Sequence, residues 1–242
     1  MKKLSLLFAI VLAFTMASQA QIKIGAKAGV NINNMAFDYA NSDFEPETKM
    51  GLGFHFGATA EYGISDQIAV QSGLLFTRKG FSFDIEEAWG GEGVDVEGYD
   101  RMMVNYLEIP IHAAYKFGGF QVYAGPYFAF GIGGKNKWDY TVSMDGMDDE
   151  EYSDETSLKP VFGEVDFENL DDDEDPYRAF DAGLNFGIGY QMDKLLINAG
   201  YSLGLVNTAP SSVKGNDDYD AADQKSTHRV ISVSVSYFFL DM

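Results

Sequence analysis

Strict alternation of apolar and polar residues continues along most of this chain after residue 21, and it restricts the possible folds more than any other feature. Period two is the pattern of a β-strand whose two faces meet different surroundings. Eight such segments follow one another, each about 11 residues long or slightly longer, which suits a tilted strand that crosses an outer membrane. The eight segments are residues 22–32, 50–62, 67–79, 101–117, 120–133, 179–191, 195–205 and 228–239.

The connections between these segments alternate between short and long. Tight turns are expected at residues 63–66, 118–119 and 192–194, and long loops at residues 33–49, 80–100, 135–178 and 207–227. Short turns at one rim and long loops at the other are typical of a transmembrane barrel. A secreted β-sandwich is the alternative, but it has no reason to sort its loops by length. The sequence therefore predicts an all-β fold, an eight-stranded antiparallel up-and-down transmembrane β-barrel.

The first twenty residues have the pattern of an export signal. Lys2 and Lys3 precede the apolar run LSLLFAIVLAF, and the small residues Ser18 and Ala20 provide a cleavage site. We expect cleavage after residue 20, which leaves residues 21–242 as one barrel domain. The chain contains no cysteine, so it forms no disulfide.

The charge of the chain is concentrated in the predicted long loops. The net charge is −20, and 31 of the 37 acidic residues lie in those four segments. This balance argues against nucleic acid as a partner, since nucleic acid requires basic patches. The acidic loops are candidates for contact with an extracellular protein or with divalent cations. The run at 168–178 lacks the spacing of a calcium-binding loop, however, and a solvated loop is its default interpretation.

The inner face of the predicted barrel contains charges of both signs, so we expect ion pairs inside the lumen. An eight-stranded barrel is only wide enough for side chains to fill it, and an open diffusion pore is therefore not expected. Pro110 cannot donate to the strand ladder, which predicts a bulge or a local break in pairing there. The polar and ion-pair candidates in the lumen are Lys23, Lys27, His55, Glu61, Lys79, Glu108, His112, Lys116 and Asp181.

Aromatic residues gather at the expected strand ends, where the two membrane interfaces select them. The girdle at the short-turn rim is predicted to contain Tyr62, Tyr115, Phe117, Phe120, Tyr190, Tyr237 and Phe239. A second girdle at the long-loop rim is predicted to contain Phe81, Phe83, Trp138, Tyr140, Tyr177 and Phe180. An ordinary hydrophobic core is the alternative interpretation, since Phe and Tyr are common in β proteins.

The histidines provide the only candidates for catalysis. His55 and His112 face inward, where a satisfied interior histidine is the default over a metal pair or a base. His228 is expected at the outer rim with Ser226 and Thr227 near it, where a barrel enzyme would hold a Ser-His-Asp site. No HExxH or phosphate-loop motif occurs. We therefore predict no enzymatic activity, no catalytic residue, no cofactor and no bound metal.

The chain resembles the small outer-membrane β-barrel family that includes the PorT-like proteins. The resemblance rests on GAKAGVN (25–31), QSGLLFTRKG (71–80), NYLEIPIHAAYKFG (105–118), YAGPYFAFGIG (123–133), DAGLNFGIGYQ (181–191), YSLGLVN (201–207) and RVISVSVSYFF (229–239). It implies an eight-stranded barrel in the outer membrane of a Gram-negative bacterium. Its expected partners are outer-membrane lipid and, during insertion, the barrel assembly machinery.

Three functions remain open at this point. The first is a structural or interaction role, in which a filled barrel presents acidic loops. The second is a narrow porin or a secretion-accessory role of the PorT type, which the resemblance suggests. The third and least favoured is an outer-membrane enzyme.

Overall fold

The computed structural model describes residues 21–39, 48–83, 94–144, 147–171, 173–210, 212–214 and 224–242. The predicted signal peptide and parts of all four predicted long loops lie outside these residues. Among the described residues, no helix is long and apolar enough to cross a membrane. The strands are β1 (Ile22–Tyr39), β2 (Thr48–Gly63), β3 (Ile68–Phe83), β4 (Val94–Phe117), β5 (Phe120–Met144), β6 (Glu150–Val161), β7 (Glu164–Val165), β8 (Glu174–Arg178), β9 (Phe180–Met192), β10 (Leu195–Gly204), β11 (Ser212–Val213) and β12 (Gln224–Asp241).

Eight of these strands close into a ring. Each pairs antiparallel with the next in the order β1, β2, β3, β4, β5, β9, β10 and β12, and β12 pairs with β1. The two ends of the chain complete the closure, since Ile22 N donates to Met242 O at 3.0 Å and Met242 N donates to Ile22 O at 2.9 Å. A closed ring leaves no strand edge unpaired within the bilayer, where unpaired backbone groups are costly. The predicted eight-stranded antiparallel barrel is therefore confirmed.

Alternation along each ring strand separates the outer wall from the lumen. In β4, Leu107 and Ile109 are 39% and 37% exposed, whereas Tyr106 and Glu108 are 0% and 7% exposed. The exposed positions are apolar because they face lipid, and the buried positions contain the polar residues. The stretch YLEIPIHAAYKF thus keeps its charges on the inner side of the wall.

Short turns connect the strands at the inner rim, which is the end of the barrel opposite the long loops. Phe117 is joined to Phe120 by Gly118 and Gly119, and Gly118 adopts a φ of 63° that an L side chain rarely takes. Met192 is joined to Leu195 by a two-residue turn in which Asp193 has a φ of 51°. These turns fix the register of the hairpins that they close.

At the outer side, several strands continue beyond the ends that the sequence pattern predicts. β4 and β5 pair as far as Val94 and Met144, and β6 adds a third strand from Val142↔Glu150 to Gly134↔Leu158. Residues 80–100 and 135–178, expected as loops, therefore contain much strand. Apolar–polar alternation fails to reveal these strands because both faces of a sheet outside the membrane meet water. We call residues 94–102, 134–144 and 150–158 the outer sheet.

Part of this outer region folds inward over the barrel mouth. Leu158 of β6 and Tyr177 of β8 pack in one buried cluster with inward-facing residues of β4 and β5. The Tyr177 hydroxyl donates to Gly133 O at 3.3 Å and accepts from Gly133 N at 3.2 Å. Gly131 lies beneath the aromatic ring of Tyr177, and a Cβ atom at this position would stand 2.3 Å from the Tyr177 hydroxyl oxygen. A side chain in place of Gly131 would displace Tyr177, so this glycine is part of the closure. We call this closure, formed by Leu158, Tyr177 and Gly131, the cap.

The predicted irregularity at Pro110 is a local break rather than a bulge. Pairing of β3 with β4 runs to Leu75↔Glu108 and resumes at Ser72↔Ile111 with the register unchanged. The missing pairs are Leu74 with Ile109 and Gly73 with Pro110. Both pairs require a hydrogen bond from the backbone nitrogen of residue 110 to Gly73 O, which proline cannot donate. The Ser72 hydroxyl donates to Pro110 O at 2.8 Å.

The lipid-facing assignment of the outer wall can be tested by inserting a charge. Replacement of Ile109 by Arg should destabilise the folded barrel by about 2–4 kcal/mol, because it places a cation within the apolar band. Ser153→Arg on β6, above the membrane, is the matched control and should change stability little. The measurement is urea unfolding in phospholipid vesicles. Equal effects of the two substitutions would show that Ile109 does not face lipid.

Candidate functional site

The lumen is lined by polar side chains that form three layers along the barrel axis. The innermost layer, near the short turns, centres on the Glu61 carboxylate of β2. Lys116 makes an ion pair with Glu61, and Lys23 Nζ lies 3.8 Å from the same carboxylate. Gln71 donates to Glu61 at 2.8 Å and also to Gln121 at 3.0 Å. This layer is a continuous hydrogen-bonded network across the inner end of the barrel.

The middle layer contains Lys27 and two of the three histidines. His55 Nδ1 lies 2.8 Å from Asn31 Oδ1, and His112 Nε2 lies 3.1 Å from Asn185 Nδ2. The His112 ring also stacks on Tyr123, with 4.9 Å between centroids. Each histidine thus has an interior partner, which is the default interpretation that the sequence favours.

Two small cavities lie between the layers among the residues that the structure describes. One has a volume of about 40 Å³ and lies among Lys27, His55, Lys79 and Glu108, while the other has a volume of about 20 Å³ and also touches Lys27. One water needs roughly 10–15 Å³ on this measure. The larger cavity therefore has room for about three water molecules and the smaller for about one or two, and neither is large enough for a solute.

The outermost layer centres on the Lys79 ammonium group. Lys79 Nζ lies 3.0 Å from an Asp181 oxygen and 3.1 Å from a Glu108 oxygen, and the Lys79 side chain is 1% exposed. The Tyr127 hydroxyl donates to Asp181 at 3.2 Å. Lys79 also lies over the Tyr127 ring, 4.3 Å from its centroid. The cation is thus held by two carboxylates, each from a different strand, and by an aromatic face.

His228 belongs to this outermost layer and not to the exposed rim. It is 2% exposed, and its Nε2 lies 3.2 Å from the Tyr106 hydroxyl. The expectation of a rim histidine is therefore wrong. β12 continues above His228 as far as Gln224, which places residue 228 inside the barrel.

All seven residues of the predicted inner girdle lie on the outer wall near the short turns, with side chains between 37% and 58% exposed. Neighbouring rings contact one another, as in Phe117–Phe120, 6.1 Å apart, and Phe120–Tyr190, 4.7 Å apart.

The predicted outer girdle is wrong in part. Phe81 and Tyr177 are each 2% exposed and face the interior. Trp138 and Tyr140 lie on the outer sheet, where Trp138 stacks on Tyr140 and Tyr140 stacks on Tyr152. The strands cross the interface and continue, so their ends do not mark it. Phe81, Trp138, Tyr140 and Tyr177 therefore lie above the interface or in the interior, whereas Phe180 packs against Phe130 on the outer wall.

Several residues of the lumen network were not predicted from the sequence. Tyr106 and Tyr127 were not predicted to fill the outer lumen, and Gln71, Gln121 and Asn198 were not predicted to join the inner layer. All five occupy inward positions of the alternating pattern, so the alternation along each strand identifies their side of the wall. The alternation does not indicate which neighbours on distant strands they touch.

The acidic outer segments are tied together by ion pairs at the surface. Lys214 donates to Asp166 at 2.6 Å, and this hydrogen bond lowers the pKa of Asp166 and raises that of Lys214. Lys159 pairs with Glu174 in the same way and lowers the pKa of that carboxyl. Among the described residues, no group of three or more His, Cys, Asp or Glu could hold a metal ion.

A closed antiparallel ring with an apolar outer wall and a polar, filled lumen defines a small β-barrel of the outer-membrane class. The chain belongs to the family described as "Outer membrane protein beta-barrel domain", whose model matches residues 17–209. No curated protein sequence matches this chain.

Solved structures of small outer-membrane proteins are similar over most of their length. Ail, the attachment invasion locus protein of Yersinia pestis, has 10% identity and a TM-score of 0.38, covering 90% of this chain and 98% of that chain. Neisserial surface protein A has 12% identity and a TM-score of 0.34, covering 89% and 97%. AlkL in lipid bilayers has 14% identity and a TM-score of 0.31, covering 89% and 88%. Similarities at this level do not indicate a shared function.

The Lys79 layer can be tested by removing its cation. Lys79→Met should destabilise the barrel by about 3–5 kcal/mol, because it leaves the Glu108 and Asp181 carboxylates buried without a counter-ion. The triple variant K79M/E108Q/D181N should lose less, since it contains no unpaired charge. Lys23→Met, at the partly exposed inner rim, is the control. If K79M were no less stable than K23M in urea unfolding, the ion cluster would not stabilise the barrel.

Proposed function

We propose that this protein is a closed outer-membrane barrel that anchors the outer sheet above the membrane for contact with a partner outside the cell. The observation that carries the proposal is the outermost lumen layer with its cap, where Lys79, its two carboxylates and Tyr177 occupy the cross-section. A solute could pass only by separating this buried ion cluster. Removing one partner of a buried ion pair costs about 3–5 kcal/mol.

The outer sheet supplies the contact surface in this proposal. Two of its strands, β4 and β5, continue from the barrel and β6 pairs with β5, so the position of the sheet relative to the membrane is fixed by the ladder and not by a loop. β6 contributes Glu150, Glu151, Asp154 and Glu155, all exposed. A surface of this charge favours a partner with basic residues or with bound divalent cations, because electrostatic complementarity selects partners and raises association rates.

A secretion-accessory role of the PorT type is the second candidate. The resemblance of the strand sequences supports it, and a closed lumen is compatible with it, since an accessory protein acts through its surface. A narrow porin is disfavoured by the filled lumen. Export by a signal cleaved after Ala20 and assembly by the barrel machinery are parts of the same proposal.

The contact surface can be tested with photo-crosslinking residues in intact cells. A crosslinker at Ser153 on β6 should capture a defined partner, whereas one at Lys194, in a turn at the opposite rim, should not capture it. Replacing Glu150, Glu151 and Glu155 together by Gln should reduce capture from position 153 severalfold, since it removes the charge that attracts the partner.

Folding of each variant is checked by the change in gel migration on boiling. Identical products from positions 153 and 194, or undiminished capture by the neutralised variant, would contradict the proposed role of the acidic sheet.

A further inference from the structure

Three cations on the outward-facing side of β3, β4 and β5 have no carboxylate partner. They are Arg78, Arg101 and Lys137, and among the described residues none lies within 4.0 Å of an acidic oxygen. The chain has 37 acidic residues and only 17 basic ones. Other described cations also lack such a partner, and these three are distinguished by their position on neighbouring strands of one side of the barrel.

Arg78 lies at the outer boundary of the apolar band. Ile68 is paired with Tyr115 of the inner girdle, and Arg78 follows it ten residues later on the same strand. Ten residues at about 3.3 Å each, on a strand tilted by about 40°, rise roughly 25 Å along the barrel axis. The apolar band of such barrels is about 25 Å tall, so Arg78 is at the level of the outer lipid headgroups.

The Arg78 side chain is held against the wall with part of its guanidinium group free. Its Nε donates to Asn105 Oδ1 at 2.9 Å, and its Cζ lies 5.5 Å from the centroid of the Phe54 ring. Among the described residues, its two terminal Nη groups donate no hydrogen bond. A guanidinium fork of this kind matches the geometry of a phosphate group, to which it can donate two parallel bonds.

Arg101 and Lys137 form the upper part of the same surface. They lie directly opposite each other on β4 and β5, and both are exposed. Like charges at opposite positions of an antiparallel pair repel each other. Arg101 is paired with Ser82, four residues beyond Arg78, which places it about 10 Å higher. On its other side Lys137 lies opposite Glu155 of β6, but that carboxylate makes its ion pair with Lys135.

We propose that Arg78, Arg101 and Lys137 bind the phosphate groups of an outer-leaflet lipid headgroup. The occupant is a lipid because Arg78 lies at headgroup height on the wall that faces the bilayer. It is phosphorylated at more than one position because the cations are at two heights, about 10 Å apart. An anion there also neutralises the repulsion between Arg101 and Lys137. Arg101 and Lys137 belong to the outer sheet, but the site uses none of the acidic residues of β6 on which the proposed partner contact rests.

The proposal is tested by titrating fluorescent diphosphoryl lipid A onto the folded full chain in a nonionic detergent. The variant R78Q/R101Q/K137Q should bind about tenfold or more weakly, since charge-assisted hydrogen bonds to phosphate are lost. The control K194Q/K214Q/K225Q removes the same charge from elsewhere and should bind like the parent. Dephosphorylated lipid A should bind equally weakly to all three proteins.

Two outcomes would overturn the proposal. Equal losses in both triple variants would show that only net charge matters. Competition by inorganic phosphate at concentrations similar to those of lipid A would show a site for free anions and not for a lipid headgroup. Each protein is first checked for heat-dependent gel migration, and the single variant R78Q, which keeps the other two cations, should show an intermediate affinity.

Discussion

Hydrocarbon offers no hydrogen bonds to a peptide backbone, and this constraint determines the rest of the structure. Every strand within the bilayer must pair on both sides, so the sheet closes where β12 meets β1. Closure then divides the side chains into an outer set in lipid and an inner set in a narrow lumen. The period-two pattern of the sequence is the direct consequence of that division.

The narrow lumen makes its charged residues structural. The side chains from eight strands meet near one axis, so Lys79 reaches carboxylates on β4 and β9, and Glu61 reaches lysines on β1 and β4. Buried ions of this kind are tolerated only when they are paired. The same pairing that satisfies the charges also fills the cross-section, and Tyr177 and Leu158 complete the closure at the outer end.

The sequence was sufficient to predict the features that depend only on the alternation of inward and outward positions along a strand. The eight ring strands, the inward side of Lys79 and Glu108, and the inner girdle all follow from alternation along single strands. The cap was not predictable, because Tyr177 enters the barrel by folding back from an outer segment in which alternation is lost. The buried position of His228 was missed for a related reason, since β12 begins at Gln224, four residues before the first residue of the visible pattern.

Arg78 shows another limit of pattern reading. It interrupts an apolar face, and the predicted strand ends one residue later, at residue 79. In the structure the strand continues to Phe83, and the arginine marks the membrane boundary instead. Height above the membrane is a property of the assembled barrel, so it becomes visible only once the register of neighbouring strands is known.

Conductance across a planar lipid bilayer tests most directly whether this barrel is closed. The folded protein should insert without producing stable current steps, because the Lys79 cluster and the cap occupy the lumen. A variant with Lys79, Glu108, Asp181 and Tyr177 all replaced by Ser should conduct, which shows that the assay detects an opened lumen. Stable nanosiemens-scale steps, on the order of those of an aqueous pore, from the unmodified protein would contradict the closed barrel.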